Sequence, residues 1–112
     1  MVNRTDRNIL IGAKQASPIG LIVNELITNS FKYAFPDNQE GEIKISLHKI
    51  ENEIELEFAD NGVGIPEDFD WRTTKSMGLS LVKLLAENQL DGSIDMENKN
   101  GTKFIIKFNI ET

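Results

Sequence analysis

Residues 43–60 read IKISLHKIENEIELEFAD, and the alternation in this stretch decides the architecture. Ile43, Ile45 and Leu47 fall on one side of an extended chain, because successive strand residues point to opposite faces. Ile54, Leu56 and Phe58 repeat the pattern in the next run. Glu51-Asn52 lies between the two runs and reads as a hairpin turn. Two strands joined this tightly must be antiparallel. Each carries a single apolar face, so one side of the sheet should be covered and the other left polar.

Working outward from the hairpin extends the same pattern. Downstream, Asp60-Asn61-Gly62-Val63-Gly64-Ile65-Pro66 is a glycine-rich loop, and residues 67–76 are polar and irregular. Residues 77–90 form a helix that ends at Asp91-Gly92. A last hairpin pairs residues 93–97 with 103–110, and Phe104, Ile106, Phe108 and Ile110 line one face of its second strand. Upstream, residues 36–41 are a loop. A helix opens at Ser17-Pro18, where Ser can cap and Pro suits the first turn, and runs to about Ala34. Ile9-Leu10-Ile11 reads as a short strand, and residues 1–7 as loose. The order is strand, helix, two strands, helix, two strands. This gives an α/β (α+β) two-layer sandwich, with a mixed, mostly antiparallel sheet and helices on one face. The 112 residues suit one domain, 1–112.

Composition removes several classes of function. Hydrophobic residues make up 39%, enough for a single core, and no apolar run is long enough to cross a bilayer. Arg4, Asp6 and Arg7 do not resemble a secretory leader, so membrane contact is not expected of this domain. Cysteine is absent, which excludes disulfides and thiolate metal sites and fits a reducing, cytoplasmic setting. The net charge of −6 argues against nucleic acid as a partner. The same charge constrains any phosphate ligand. An acidic chain must hold a polyanion through local devices: a metal, a few aimed cations, or backbone N–H groups.

The first helix carries such devices. At about 100° per residue, Glu25 and Asn29 share an angle, with Lys32 and Tyr33 on either side. Val23, Leu26, Ile27, Ser30, Phe31 and Ala34 take much of the opposite side. A plain solvated face would favour Glu, Lys or Ala. Here Asn24, Thr28 and Asn29 cluster mid-helix, each costing about 0.5–0.7 kcal/mol against Ala. Asn29 offers an amide oxygen suited to Mg²⁺, Lys32 a charge for phosphate, and Tyr33 a flat ring.

The glycine loop is less specific on its own, since Asp-Asn-Gly is also ordinary turn chemistry. Gly62 and Gly64 permit close approach of a ligand to the backbone. Asp60, at the strand end, is placed to accept a hydrogen bond from an exocyclic amine such as that of adenine. Other phosphate and metal motifs fail. The loop lacks the third glycine of a dinucleotide fingerprint, no Walker-type run occurs, and glycines stand where a calcium loop needs oxygen side chains. Ser76-Met77-Gly78-Leu79-Ser80 opens the second helix. Its free N–H groups favour an anion by about 0.3–1 kcal/mol, and Gly78 clears the approach.

Taken in order, these segments resemble the superfamily of gyrase, heat-shock chaperone, histidine kinase and MutL ATPases, over nearly the whole chain. Residues 24–36, NELITNSFKYAFP, look like its N box. Residues 60–65, DNGVGI, look like the first glycine box, residues 77–82, MGLSLV, like the second, and Gly101-Thr102 like the Gly-Thr beside the last strand. The Asn-Glu-Leu opening and the short interval from Pro66 to Ser76 are similar to the histidine-kinase subgroup with a reduced lid. The resemblance implies a Bergerat-type ATP-binding fold with ATP and Mg²⁺ as cofactors. It implies that Asn29 coordinates Mg²⁺, Lys32 contacts phosphate and Tyr33 packs near adenine. Asp60 would bind the adenine amino group, with Gly62, Gly64 and Ile65 shaping its pocket. Thr102 would support that contact directly or through water, and Gly78 and Leu79 would sit at the phosphate end.

Three departures accompany the match. Glu25 stands where many histidine kinases carry Asn and where the gyrase branch has a water-activating Glu. A base, a group behind the metal ligand and a plain helix residue all remain open for it. Ser80 occupies a glycine's place in the second box. The phenylalanine-containing lid box is missing, and Arg72 and Lys75 are the nearest cations.

His48 is the only histidine. It falls on the strand face opposite Ile45 and Leu47, where a phosphoacceptor role is not expected. The resemblance therefore implies partners: ATP, an N-terminal helical dimerisation and phosphoacceptor domain, and a response regulator downstream. The expected activity is transfer of the γ-phosphate of Mg-ATP to a histidine on that separate domain. An anti-sigma-type serine kinase and a non-catalytic nucleotide-binding module share the fold and are the alternatives.

Overall fold

A computed structural model describes residues 2–5, 11–31, 41–62, 77–98 and 101–110 of the chain. Five strands form one sheet in the order β1-β2-β3-β5-β4. They are β1 (Val2–Thr5), β2 (Ile43–Ile50), β3 (Glu53–Asp60), β4 (Ser93–Asn98) and β5 (Thr102–Asn109). Every neighbouring pair is antiparallel except β1 and β2, which run parallel. Two helices, α1 (Ala13–Asn29) and α2 (Met77–Leu84), complete the two-layer sandwich expected from the alternation.

The hairpin that decided the architecture forms in the expected register. Ile50 faces Glu53 across a two-residue turn, and Glu51 adopts a positive φ of 57° to make it. Ile54, Leu56 and Phe58 of β3 are buried, and Phe104, Ile106 and Phe108 lie directly opposite them on β5. Ile22 and Leu26 of α1 and Val82 of α2 belong to the same core. Each such side chain contributes about 1.5–3 kcal/mol when fully buried. The other face of the sheet is polar: Lys103 pairs with Glu57 at 3.5 Å. His48 faces Glu55 on this side, half-buried and away from the core.

The ends of the elements depart from the sequence reading in three places. Val2–Thr5, in the stretch expected to be loose, form β1 beside β2. Pairing with a neighbour supplies what the local pattern lacks, since a strand can be held by its ladder alone. Of the strand expected at 9–11, residues 9 and 10 lie outside the described residues, and Ile11 belongs to no strand. The first helix begins at Ala13 rather than at Ser17-Pro18, with Gly12 as its extended N-cap. Pro18 sits inside the helix and is buried. Ala16 N–H already makes the first helical bond, to the Gly12 carbonyl, so Pro18 lies past the first turn and its missing N–H forgoes one interior bond, to the Lys14 carbonyl.

The second helix ends where the sequence indicated, by an unusual route. After Leu84 the chain widens into a π-helical segment, Leu85–Gln89, in which Leu90 N–H bonds the Leu85 carbonyl. Asp91 then turns left-handed at φ 53°, and Gly92 N–H bonds the Ala86 carbonyl at 2.9 Å. A Cβ at Gly92 would overlap the Lys107 carbonyl oxygen of β5. Only glycine lets this helix end lie so close to the sheet. Among the described residues, no helix is long and apolar enough to cross a membrane.

Candidate functional site

The C-terminal end of β3 carries the densest set of polar contacts near the predicted residues. Asp60 is the last residue of β3, half-buried, and faces Thr102, the first residue of β5. Its Oδ1 accepts hydrogen bonds from the backbone N–H groups of Gly62, at 3.1 Å, and Thr102, at 3.3 Å. Its Oδ2 accepts one from the Ser30 hydroxyl at 3.0 Å. A carboxylate offers about four acceptor directions. Among the described residues three are taken by protein donors, which leaves one on Oδ2.

Local backbone geometry makes this convergence possible. Gly101 has a φ of +115°, and a Cβ there would overlap the Asp60 carbonyl oxygen and come within 2.9 Å of Asn61 Cα. The entry to β5 can therefore press against the end of β3 only as glycine. Thr102, buried, follows directly and points its N–H at the carboxylate. Its support of Asp60 is thus a direct backbone bond. Asn61 holds the other flank: its Oδ1 accepts from Glu42 N–H at 2.7 Å, and its own N–H donates to the Glu42 carbonyl at 3.2 Å.

The last turn of α1 faces the same region. Ser30 is 3% exposed and reaches Asp60 across the layer. Asn29 is half-buried, and its Nδ2 is a buried side-chain atom with no hydrogen-bond partner among the described residues. Such an orphan costs about 1–3 kcal/mol. Amide nitrogen and oxygen are interchangeable assignments, so the buried position can equally hold the oxygen. Either way one polar atom of Asn29 awaits a partner that these residues do not supply. Glu25, one turn earlier, is also half-buried. Thr28 bonds the Asn24 carbonyl within the helix, and Asn24 itself is exposed, off the stripe.

The donor set bears on a metal. Among the described residues, no group of three His, Cys, Asp or Glu could hold an ion without help. Mg²⁺ suits such a place, because it is commonly held by one or two protein oxygens and completed by phosphate and water. The unpartnered Asn29 amide fits that pattern.

Of the predicted site residues, the structure brings Asp60, Gly62 and Thr102 into one hydrogen-bonded group. Asn29 immediately precedes Ser30, the fourth member. Gly78 and Leu79 lie in the first turn of α2, and Leu79 packs against the core. Lys32, Tyr33, Gly64 and Ile65, and the cations Arg72 and Lys75, fall outside the described residues. Sequence reasoning missed Ser30, which it placed on the apolar side of α1. The available signal was a hydroxyl on a core-facing stripe, because a buried polar group needs a partner.

Comparison with known proteins gives the family and the fold. Residues 14–112 match the family model described as histidine kinase-, DNA gyrase B-, and HSP90-like ATPase. The chain is 27% identical over 109 residues to sensor histidine kinase PdtaS of Mycobacterium tuberculosis, covering 95% of this chain and 22% of that protein. It is 29% identical over 110 residues to blue-light-activated histidine kinase 2 of Erythrobacter litoralis, covering 97% and 31%. It thus spans about a fifth to a third of these relatives' length. The solved histidine kinase domain of the Erythrobacter litoralis EL346 blue-light-activated kinase superposes with a TM-score of 0.85 at 28% identity, over 97% of this chain and 51% of that one. With the family match covering nearly the whole chain, the protein belongs to the histidine kinase-, DNA gyrase B- and HSP90-like ATPases, and its fold is that of a histidine kinase catalytic domain.

Proposed function

We propose that this chain binds Mg-ATP and supplies the γ-phosphate to a histidine on a separate helical domain, as the catalytic part of a two-component sensor kinase. The observation that carries the reading is the Asp60 carboxylate. Among the described residues it is held by three donors, with one acceptor direction left over. That arrangement suits a single N–H donor on a flat base, such as the 6-amino group of adenine.

The chain's own residues then divide the work. Asp60 orients the base, and Gly62, Gly64 and Ile65 shape the wall around it. Tyr33 packs against the ring. Asn29 would hold Mg²⁺ through its amide oxygen, and the ion would supply charge neutralisation at the phosphates. Lys32 and the N-terminal turn of α2, at Gly78 and Leu79, hold the phosphate end. Glu25 stands one helical turn from Asn29 and can accept a proton or a water there. In transfer, an imidazole nitrogen of the acceptor forms a bond to the γ-phosphorus, the bond to the β–γ bridging oxygen breaks, and ADP leaves. Positioning and charge stabilisation do most of this work in phosphoryl transfer. His48 lies on the polar sheet face, five register positions from the Asp60 end of β3, which supports an acceptor on another domain. The partners are therefore an N-terminal helical dimerisation and phosphoacceptor domain and, after it, a response regulator. The greater length of the sensor histidine kinases that the chain resembles leaves room for such a domain.

The test is transfer of label from γ-labelled ATP to a supplied phosphoacceptor-helix domain, with the labelled side chain identified by mass spectrometry. Label on histidine is the expected result. Label on serine would reassign the chain to the anti-sigma type of kinase. Tight ATP binding with no label on any acceptor would leave a nucleotide-binding module without transfer.

A further inference from the structure

We infer that Ser30 sets base selectivity by positioning Asp60; this rests on the ATP-binding reading above. Ser30 is 3% exposed, so its hydroxyl serves no solvent role. Among the described residues, its hydroxyl donates to Asp60 Oδ2 at 3.0 Å. The two backbone donors, Gly62 and Thr102, both bond Oδ1. Ser30 is therefore the only described donor on Oδ2, the oxygen with a direction to spare.

The consequence is a restriction. With Ser30 in place, Oδ2 receives a ligand donor from one direction only. Remove the hydroxyl, and Oδ2 has two free directions and is held by the Oδ1 bonds alone. A carboxylate so released can meet an N–H at a neighbouring ring position as readily as an exocyclic amino group. Ser30 thus confines Asp60 to a base whose donor lies at one place. It need not touch the base to do so, which makes it a positioning residue.

The experiment compares ATP with inosine triphosphate, which carries a 6-oxo group and a ring N1–H in place of the 6-amino group. Affinities are measured by calorimetry on the 112-residue chain with Mg²⁺, for wild type and Ser30→Ala. With Oδ2 no longer held at its place, Ser30→Ala should weaken the Asp60 bond to the 6-amino group and with it ATP, by about five- to tenfold. Inosine triphosphate should hold its affinity within about twofold or gain, since a released carboxylate can meet its ring N1–H. The ratio of the two affinities then narrows. An unchanged ratio overturns the proposal. So does an equal loss for both nucleotides, which would make Ser30 a support of the fold around the site. Ser30→Thr, which keeps the hydroxyl, should retain the wild-type ratio, and its loss in a folded Thr variant would count against the proposal. If Ser30→Ala leaves too little folded protein, Ser30→Cys, similar in size but a weak donor, takes the same ratio test. Failure of wild type to bind either nucleotide is a different result: it removes the ATP reading, and the inference with it.

Discussion

The two ends of α1 are each pinned to the sheet by a buried polar side chain, yet they differ in what they leave over. At the start, Gln15 is 3% exposed and its Nε2 donates to the Asn109 carbonyl at 2.9 Å. At the finish, Ser30 is equally buried and donates to Asp60. The first bond ends on a backbone oxygen at the close of β5. The second ends on a side-chain carboxylate that still has capacity. Beside it lies Asn29, whose Nδ2 has no partner among the described residues. One end of the layer is closed by its own backbone, and the other keeps hydrogen-bonding capacity unused. That asymmetry, more than any single motif, separates scaffold from site.

The largest effects should come from the two glycines that let β5 approach its neighbours. Gly101→Ala places a Cβ against the Asp60 carbonyl at a φ of +115°, and Gly92→Ala places one against the Lys107 carbonyl. Each should cost about 3 kcal/mol or more, as backbone overlap in a packed position does. Urea unfolding measures both. The comparison is sharpened by nucleotide affinity in whatever fraction stays folded. Gly101→Ala should reduce it and Gly92→Ala should leave it near wild type. Equal losses of affinity would mean that the two ends are not separate.

Asp60→Asn comes next. The substitution turns one carboxylate oxygen into an NH₂ donor facing either Ser30 or the two backbone N–H groups. A charged acceptor is lost, so stability should fall by about 1.5–3 kcal/mol. ATP affinity should fall more than GTP affinity, because the acceptor for a 6-amino group disappears. Parallel titrations of the two nucleotides decide it, and equal losses would sever Asp60 from base selection.

How far the sequence foretold this asymmetry depends on the range of each interaction. Period-two alternation is local, and it located β2, β3 and β5 and their buried faces. β1 was missed because Val2–Thr5 owe their conformation to β2, some forty residues away in register, and carry no pattern of their own. The helix start was misplaced by Pro18, whose preference for a first turn is strong but which here lies buried in the second turn, at the loss of one helix bond. Within the site, Asp60 and Thr102 could be named from their motifs. Ser30 could not, because its partner is 30 residues away and its helical angle matched the core. Helical angle reported its burial correctly and was silent on the hydrogen bond that burial requires.

Gln15→Ala tests the closed end. It removes a buried donor and leaves the Asn109 carbonyl to solvent at the strand's end. The expected loss is about 1–2 kcal/mol by thermal or urea unfolding, with nucleotide affinity unchanged. A fall in affinity at constant fold would show that tension at the start of α1 reaches the site, and the two ends would have to be treated as one device.

Asn29→Ala should have the smallest effect on stability, and its sign carries the argument. Removing a buried, bonded amide ordinarily destabilises, as at Gln15. Asn29 Nδ2 has no partner to lose, and its burial is itself unfavourable. Alanine is also the better helix former by about 0.7 kcal/mol. The variant should therefore unfold at the same denaturant concentration as wild type or higher, by up to about 1 kcal/mol. Mg²⁺-dependent nucleotide affinity should fall at the same time. A residue that costs stability and is needed for a ligand is held in place by function rather than by the fold. Destabilisation with an intact magnesium dependence would place Asn29 with Gln15, as a structural clamp, and would dissolve the contrast between the two ends of the helix.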